Sequence, residues 1–511
     1  MTQMSRTRQV TINAATNYIR FFFSMVVSFW LIPFIIRNLG QDMYGLWTLS
    51  FSLIGFFSLL DFGFGLGVVK WTGETKISGE VEYRNHMLST VFFVYVFVAI
   101  VGMILLGGFS FFYAKVFSIP EPFQGIAVTV LLILGLRSLL IQIPLSLFKG
   151  ILFGEQRIYQ INIIQTIGTL LYASSAYVVL SQGKGVVWLA IVNCVSFLLE
   201  NILYFLLAYK KVANLSISPK KVQKEYLREA VSFSFYSFLT TIAGLVLFQT
   251  DVIIIQITLN LTLVGLYSIA IKISEYAFLL TKQLVNVLTP LISELKEKKE
   301  YDSIRFLLLD LSKYIMATGV ILTATIYVFG QELLVFWVGS EFTGATVPLL
   351  LLMTSFMISI PELIASNVLT MTGNQKFTAK VSVFSIIVNV GSSLLLVRPL
   401  GLVGIALGTL ISSFVNNVIL TLSKVAKEYE FPAYWYLSKV FLPACLPGLA
   451  LVGIGFTIKY FYSVSSVWDM IIKAIPGGLA YVVIFWEFFT DKKMKKTIIG
   501  KIARKAHSKE I

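Results

Sequence analysis

Charge is what this 511-residue sequence has least of. Only 13% of its residues are Asp, Glu, Lys or Arg, about half the share in a soluble globular domain. That excludes a water-soluble enzyme or scaffold of this length. Cysteine and histidine occur twice each. Cys194 and Cys445 lie in separate apolar runs, too few and too far apart for a disulfide framework or a metal cluster. They read as small buried hydrophobes. His86 opens an apolar stretch and His507 lies in the C-terminal stretch, so neither reads as a ligand. There is no P-loop, H-E-x-x-H, C-x-x-C or nucleophile elbow. The sequence therefore assigns no catalytic residue, no metal site and no cofactor.

What is present is long hydrophobic runs. The chain is 57% hydrophobic and 14% aromatic. Crossing a bilayer takes about 20 apolar residues in a helix, and these runs are continuous rather than alternating as barrel strands are. The pattern predicts an all-α polytopic membrane protein with about fourteen spans, over residues 11–36, 41–69, 86–117, 123–152, 158–180, 186–209, 230–258, 261–291, 304–329, 345–371, 377–397, 401–425, 434–461 and 467–489. Prolines 443, 447 and 476 interrupt the last two. The domains expected are an N-terminal lobe over 1–209, a polar connector over 210–229, a C-terminal lobe over 230–425, two further helices over 434–490 and a basic tail over 491–511.

The net charge of +15 has a topological explanation. With the N-terminus inside, 30 Lys and Arg fall in inner segments or at the inner ends of spans (Lys149 and Arg157 among them), 5 in outer segments or at outer ends, and 6 deeper within spans, which accounts for all 41. This asymmetry places both termini in the cytoplasm and favours anionic inner-leaflet lipid. It leaves no excess charge that calls for nucleic acid. The polar N-terminal segment reads as a cytoplasmic tail before an uncleaved first helix.

The two halves repeat. Gly45-Leu46-Trp47-Thr48 matches Gly265-Leu266-Tyr267-Ser268, an offset of 220, and Gly154-Glu155-Gln156-Arg157 matches Gly373-Asn374-Gln375-Lys376, an offset of 219. Pro144 and Pro361 stand 217 apart. Six spans are an even number, so the repeat is parallel, about an axis along the membrane normal, as in some secondary transporters.

The order of these motifs carries a family resemblance: Ile35-Ile36-Arg37-Asn38-Leu39-Gly40, then Tyr44-Gly45-Leu46-Trp47, then Asp61-Phe62-Gly63-Phe64-Gly65. Together with the length and repeat, they resemble Wzx-type polysaccharide and O-antigen flippases of the multidrug/oligosaccharidyl-lipid/polysaccharide (MOP) exporter superfamily, over the first twelve spans. The extra pair of spans is similar to the lipid II flippase branch. The resemblance implies two six-helix lobes forming a V around a central cavity and working by alternating access. It implies a substrate, an undecaprenyl-diphosphate-linked oligosaccharide, moved to the outer leaflet of the bacterial cytoplasmic membrane for surface polysaccharide or lipopolysaccharide synthesis. Polymerase and glycosyltransferases of that pathway are the implied partners.

Ionisable residues inside spans are costly and mark pathways or partners. A lipid diphosphate calls for cations, and a guanidinium binds phosphate oxygens through paired hydrogen bonds. The cations read as substrate contacts are Arg20, Arg137, Lys272 and Lys313, with an ion pair or a snorkelling chain as the plain alternative for each. Three acids read as coupling sites for H+ or Na+, or as ion-pair partners: Asp61, Glu275 and Glu362. Asp61 could pair with Arg20, or cap the Gly63/Gly65/Gly67 segment. Glu275 stands three residues from Lys272 on one helical face. Glu362 follows Pro361, which frees a carbonyl. Without an ATP site, transport must draw on an ion gradient, the membrane potential or consumption of substrate downstream. A cation-coupled drug exporter of the same superfamily is the alternative, and would need a dominant acid in the cavity. A glycosyltransferase or polymerase would need large outer loops, and every outer segment is short.

Overall fold

The computed structural model describes residues 6–286, 288–491 and 495, with side chains described from Ile12 on except at 235–237, 239–248 and 290. Of the expected basic tail, only Asp491 and Lys495 fall among them. Among the described residues no strand occurs, as the continuous apolar runs require.

The helices are α1 (Arg6–Leu39), α2 (Gln41–Gly55), α3 (Phe64–Ser78), α4 (Val81–Val116), α5 (Glu121–Gly154), α6 (Ile158–Ser181), α7 (Val186–Lys211), α8 (Lys224–Thr258), α9 (Leu261–Asn286), α10 (Thr289–Glu297), α11 (Tyr301–Trp337), α12 (Ser340–Met371), α13 (Gln375–Leu400), α14 (Leu402–Glu428), α15 (Tyr436–Phe461) and α16 (Val467–Phe489). Thirteen stretches of the described residues are long and apolar enough to cross a membrane. The 35-residue α8 occupies the seventh expected span. The chain divides into two compact units: residues up to Ser268 with Val397–Leu402, and Ile269–Leu396 with the residues from Val403 on.

The second expected span is not one continuous helix. α2 ends at Gly55, a tight turn covers Phe56–Asp61, and Phe62 and Gly63 adopt left-handed backbone angles (φ 50° and 77°) before α3 begins. A bulky Phe in that region is strained; Gly63 is not. Prolines behave in the opposite way in the last two spans. Pro447 lies inside α15 and Pro476 inside α16, and both helices run on past them. In α15, α16 and α5 a wide π-type turn forms part of the helix. In α5 it covers Arg137–Gln142, directly before Ile143-Pro144. Proline cannot donate to the preceding turn, and a widened turn is one way a helix absorbs that loss.

The repeated Gly-Leu-aromatic motifs meet in the first unit. A β-carbon built on Gly45 would collide with the Leu261 carbonyl, and one on Gly265 would lie 2.7 Å from the Gln41 carbonyl. Two backbones thus touch where both halves carry glycine, the close packing small residues permit in membranes. Asp42 accepts a hydrogen bond from the Thr262 hydroxyl at 2.5 Å beside this contact.

The connector is laid against the start of α4. Arg84 donates to the Ala213 carbonyl at 2.8 Å and Asn85 to the Asn214 carbonyl at 2.8 Å. The Ser218 amide donates to Ser89 at 3.1 Å, and His86 stacks on Tyr226. In the second unit a hydroxyl and amide seam joins α13 to α14, with Ser385 and Ser412 at 3.0 Å and Asn389 donating to Thr409 at 3.1 Å.

Candidate functional site

Three intramembrane cations of the first unit and one acid lie in α1, α5 and α7. Arg20 lies in α1 and donates to the Asn17 carboxamide oxygen at 3.2 Å. Arg137 opens the wide turn of α5, and its guanidinium lies over the ring of Phe197, 4.2 Å from the centroid, with Phe51 at 5.6 Å. Lys149, counted from the sequence with the inner segments although it lies at the inner end of the expected span 123–152, sits inside α5, which runs on to Gly154. Its ammonium lies 5.9 Å from the Tyr204 ring.

One acid answers these three cations. Glu200 in α7 accepts a hydrogen bond from the Tyr204 hydroxyl at 2.8 Å. Lys149, then Arg137, then Arg20 act on it electrostatically. Its carboxylate fits because α6 has a glycine opposite: a β-carbon on Gly168 would stand 2.5 Å from Glu200 Oε2. None of the three cations makes a contact ion pair with a described carboxylate. The Nε atoms of Arg20 and Arg137 are buried with no hydrogen-bond partner. Arg84 and Arg157 keep an unpartnered Nε as well; what marks Arg20 and Arg137 is that they lie inside spans, where a buried charge calls for an anion.

The arrangement is a ladder rather than a point. Arg137 and Lys149 are twelve residues apart on one helix, about 18 Å along its axis. One phosphate cannot reach both, but charges at successive depths can hold an anion that travels.

Asp61 is not part of this group. Its carboxylate accepts from the Tyr95 hydroxyl and from the Gly65 amide (3.3 Å for the amide), at the start of α3. No ion pair joins it to Arg20. Its geometry is that of a cap: an anion at a helix N-terminus, where backbone amides point outward.

In the second unit the candidate cations have acids in contact. Lys272 pairs with Glu275 at 2.7 Å, both side chains about a third exposed. Lys313 is buried and reaches Asp491 at 3.1 Å and Asp310 at 4.0 Å. Glu362 follows Pro361 in α12, hydrogen-bonds Ser366 and faces Lys282. The sequence candidates thus fall into two sets. Arg20 and Arg137 both act on Glu200 in the first unit, while Lys272 and Lys313 are each held by an acid.

Sequence reasoning does not select Lys149 or Glu200 as site residues. Glu200 is visible as an acid inside a span, and the Glu200/Tyr204 spacing of four is a same-face pair. Lys149 carries no such signal. The wide turn in α5 shifts the helical phase between it and Arg137, so a regular helical projection does not align them.

Comparison with known proteins gives the setting. A family model described as "Polysaccharide biosynthesis protein" matches residues 34–347. The uncharacterized membrane protein EpsK of Bacillus subtilis is 21% identical over 501 residues, covering 97% of this chain and 98% of EpsK. The probable low-salt glycan biosynthesis flippase Agl15 of Haloferax volcanii is 23% identical over 463 residues, covering 89% and 90%. Among solved structures, the lipid II flippase MurJ in an inward closed conformation matches with a TM-score of 0.70 at 16% identity, covering 93% of this chain and 98% of that one. At that identity the likeness is one of fold.

Proposed function

The chain belongs to the polysaccharide biosynthesis protein family, and on that premise we propose that it is a flippase for a lipid-linked oligosaccharide. Its cargo is an oligosaccharide on an undecaprenyl diphosphate carrier. It moves this from the inner to the outer leaflet of a bacterial cytoplasmic membrane, by alternating access, with both termini cytoplasmic. The relatives whose names state a role, such as the probable glycan flippase of Haloferax volcanii, support the cargo class.

One observation carries the proposal: Arg20, Arg137 and Lys149 line one lobe without a carboxylate in contact, and two of them keep a buried donor unpartnered. A diphosphate supplies the acceptors that these donors lack. Glu200 is then a counter-ion that stabilises the cations between loads and must yield them to a more strongly charged anion. In this reading the aromatic rings of Phe197 and Phe51 hold the Arg137 guanidinium in place without neutralising it.

Energy is drawn from coupling to H+ or Na+, and Glu362 of the second unit is the acid proposed for it, since it has a hydroxyl and a cation for neighbours but no contact ion pair. The test is complementation of a strain lacking its own glycan flippase. Arg20→Ala should fail to restore surface polysaccharide although the protein reaches the membrane. Full export by Arg20→Ala would refute the proposal. Resistance to cationic drugs on overexpression, with no effect on glycan export, would favour the drug-exporter alternative instead.

A further inference from the structure

A second site lies outside the charged ladder, between α6 and α7. Here a cavity of about 370 Å³ is lined by Tyr159, Gln160 and Ile163 of α6 and by Leu203, Leu206 and Lys210 of α7. That volume is within the range of small-molecule sites. On α7 the lining positions recur every three to four residues, so they form one face. Ile163, Leu203 and Leu206 are each more than a third exposed, which opens the cavity to the outside of the helical pair. In a chain whose helices cross a bilayer, that outside is lipid.

The walls are apolar, but one end is not. α6 and α7 are consecutive helices joined by a turn at 182–185, so the start of α6 and the end of α7 lie at the same end of the pair. Lys210 and Lys211 form the last turn of α7, and Arg157 immediately precedes α6. Gln160, inside the lining, keeps its side-chain oxygen buried with no hydrogen-bond partner. An occupant that completes this site has an aliphatic chain for the walls, an anion for Lys210 and a hydroxyl to donate to Gln160.

We propose that this groove binds an anionic glycerophospholipid whose head group carries hydroxyls, of the phosphatidylglycerol class. One acyl chain lies along Ile163, Leu203 and Leu206, the phosphate meets Lys210, and a head-group hydroxyl donates to Gln160. The proposal does not depend on which cargo the protein moves, because none of these residues belongs to the ladder of Arg20, Arg137 and Lys149.

The test is native mass spectrometry of the full chain released from nanodiscs made of equal parts phosphatidylglycerol and phosphatidylcholine. The wild type should retain phosphatidylglycerol in preference. Lys210→Ala should lower that preference about fivefold, the effect of one basic residue at a lipid surface. Gln160→Leu keeps the volume and the apolar wall, so it should fold and likewise lower the preference for phosphatidylglycerol over phosphatidylcholine, whose head group has no hydroxyl to donate. Leu206→Trp should fill the groove and release the bound lipid. Should that variant misfold, Gln160→Leu and Lys210→Ala decide the matter alone. Equal retention of the two lipids by the wild type would overturn the proposal, as would unchanged preference in both of those variants.

Discussion

The two units hold their candidate cations differently, although one further intramembrane cation of the second unit, Lys282, also has no described carboxylate in contact. In the second, Lys272 and Lys313 have carboxylates at 2.7 and 3.1 Å. In the first, Arg20, Arg137 and Lys149 have no carboxylate in contact and are answered at a distance by Glu200. A repeated fold does not require this difference, since helices of the same plan occur in both halves. A paired cation has spent its charge locally, whereas an unpaired one holds it in reserve for something that arrives. On the proposed function, the contrast separates residues that hold the bundle together from residues that bind.

The largest effect should come from removing the unpaired cations. Alanine at Arg20, Arg137 or Lys149 should each weaken binding of a lipid diphosphate by about 10- to 100-fold, as expected for a charge-assisted hydrogen bond of about 1.5–3 kcal/mol. Glycan export should fall with it. Lys272→Ala in the second unit should change either by less than about twofold, the effect of an exposed ion pair. Equal losses in the two units would break the comparison.

Next in size is Glu200→Gln. Removing the counter-ion should tighten diphosphate binding by about fivefold or more, at the low end of coupling between sites, and slow turnover because release becomes harder. Weaker binding in this variant, measured by titration of the purified protein, would show that Glu200 organises the cations rather than competing for them. Gly168→Ala should act on the same residue from the other side. Its methyl group would enter the space of the Glu200 carboxylate, costing about 1–3 kcal/mol of stability by overpacking, readable as a lower midpoint of thermal unfolding. An unchanged midpoint would mean that Glu200 has another rotamer available.

Asp61→Asn should cost about 1 kcal/mol, the value of a helix-terminal anion, with transport retained once expression is matched. The smallest effect belongs to Lys272→Met combined with Glu275→Met, which should leave stability within about 0.5 kcal/mol. A large loss on that double change would move Lys272 from the paired set to the binding set.

Much of this architecture is legible in the amino-acid sequence. Continuous apolar runs define spans one at a time, and the Gly45 and Gly265 motifs betray the repeat because backbone contact allows only glycine at both. The family resemblance rests on the same motifs and agrees with the family match over residues 34–347. Arg20 and Arg137 stand out because a cation inside an apolar run is conspicuous. The break at Phe62-Gly63 is less so: the glycines announce close packing, but not that a phenylalanine accepts left-handed angles. Lys149 is hidden by the topology count, which assigns the inner end of the span over 123–152 to the inner segment, since helix ends are where charge and span length trade against each other. The pairing of Lys313 with Asp491 joins residues 178 apart, and no local pattern encodes such a contact.

The central claim is that the unpaired cations of the first unit are the binding site for the diphosphate. Affinity of the purified full-length chain for a polyprenyl diphosphate, measured beside its neutral polyprenyl alcohol, tests it most directly. The wild type should prefer the diphosphate by more than about a hundredfold. The variant carrying Arg20→Ala, Arg137→Ala and Lys149→Ala should lose most of that preference, while Lys272→Ala keeps it. A preference that survives the triple change, or that vanishes with Lys272→Ala, would contradict the account.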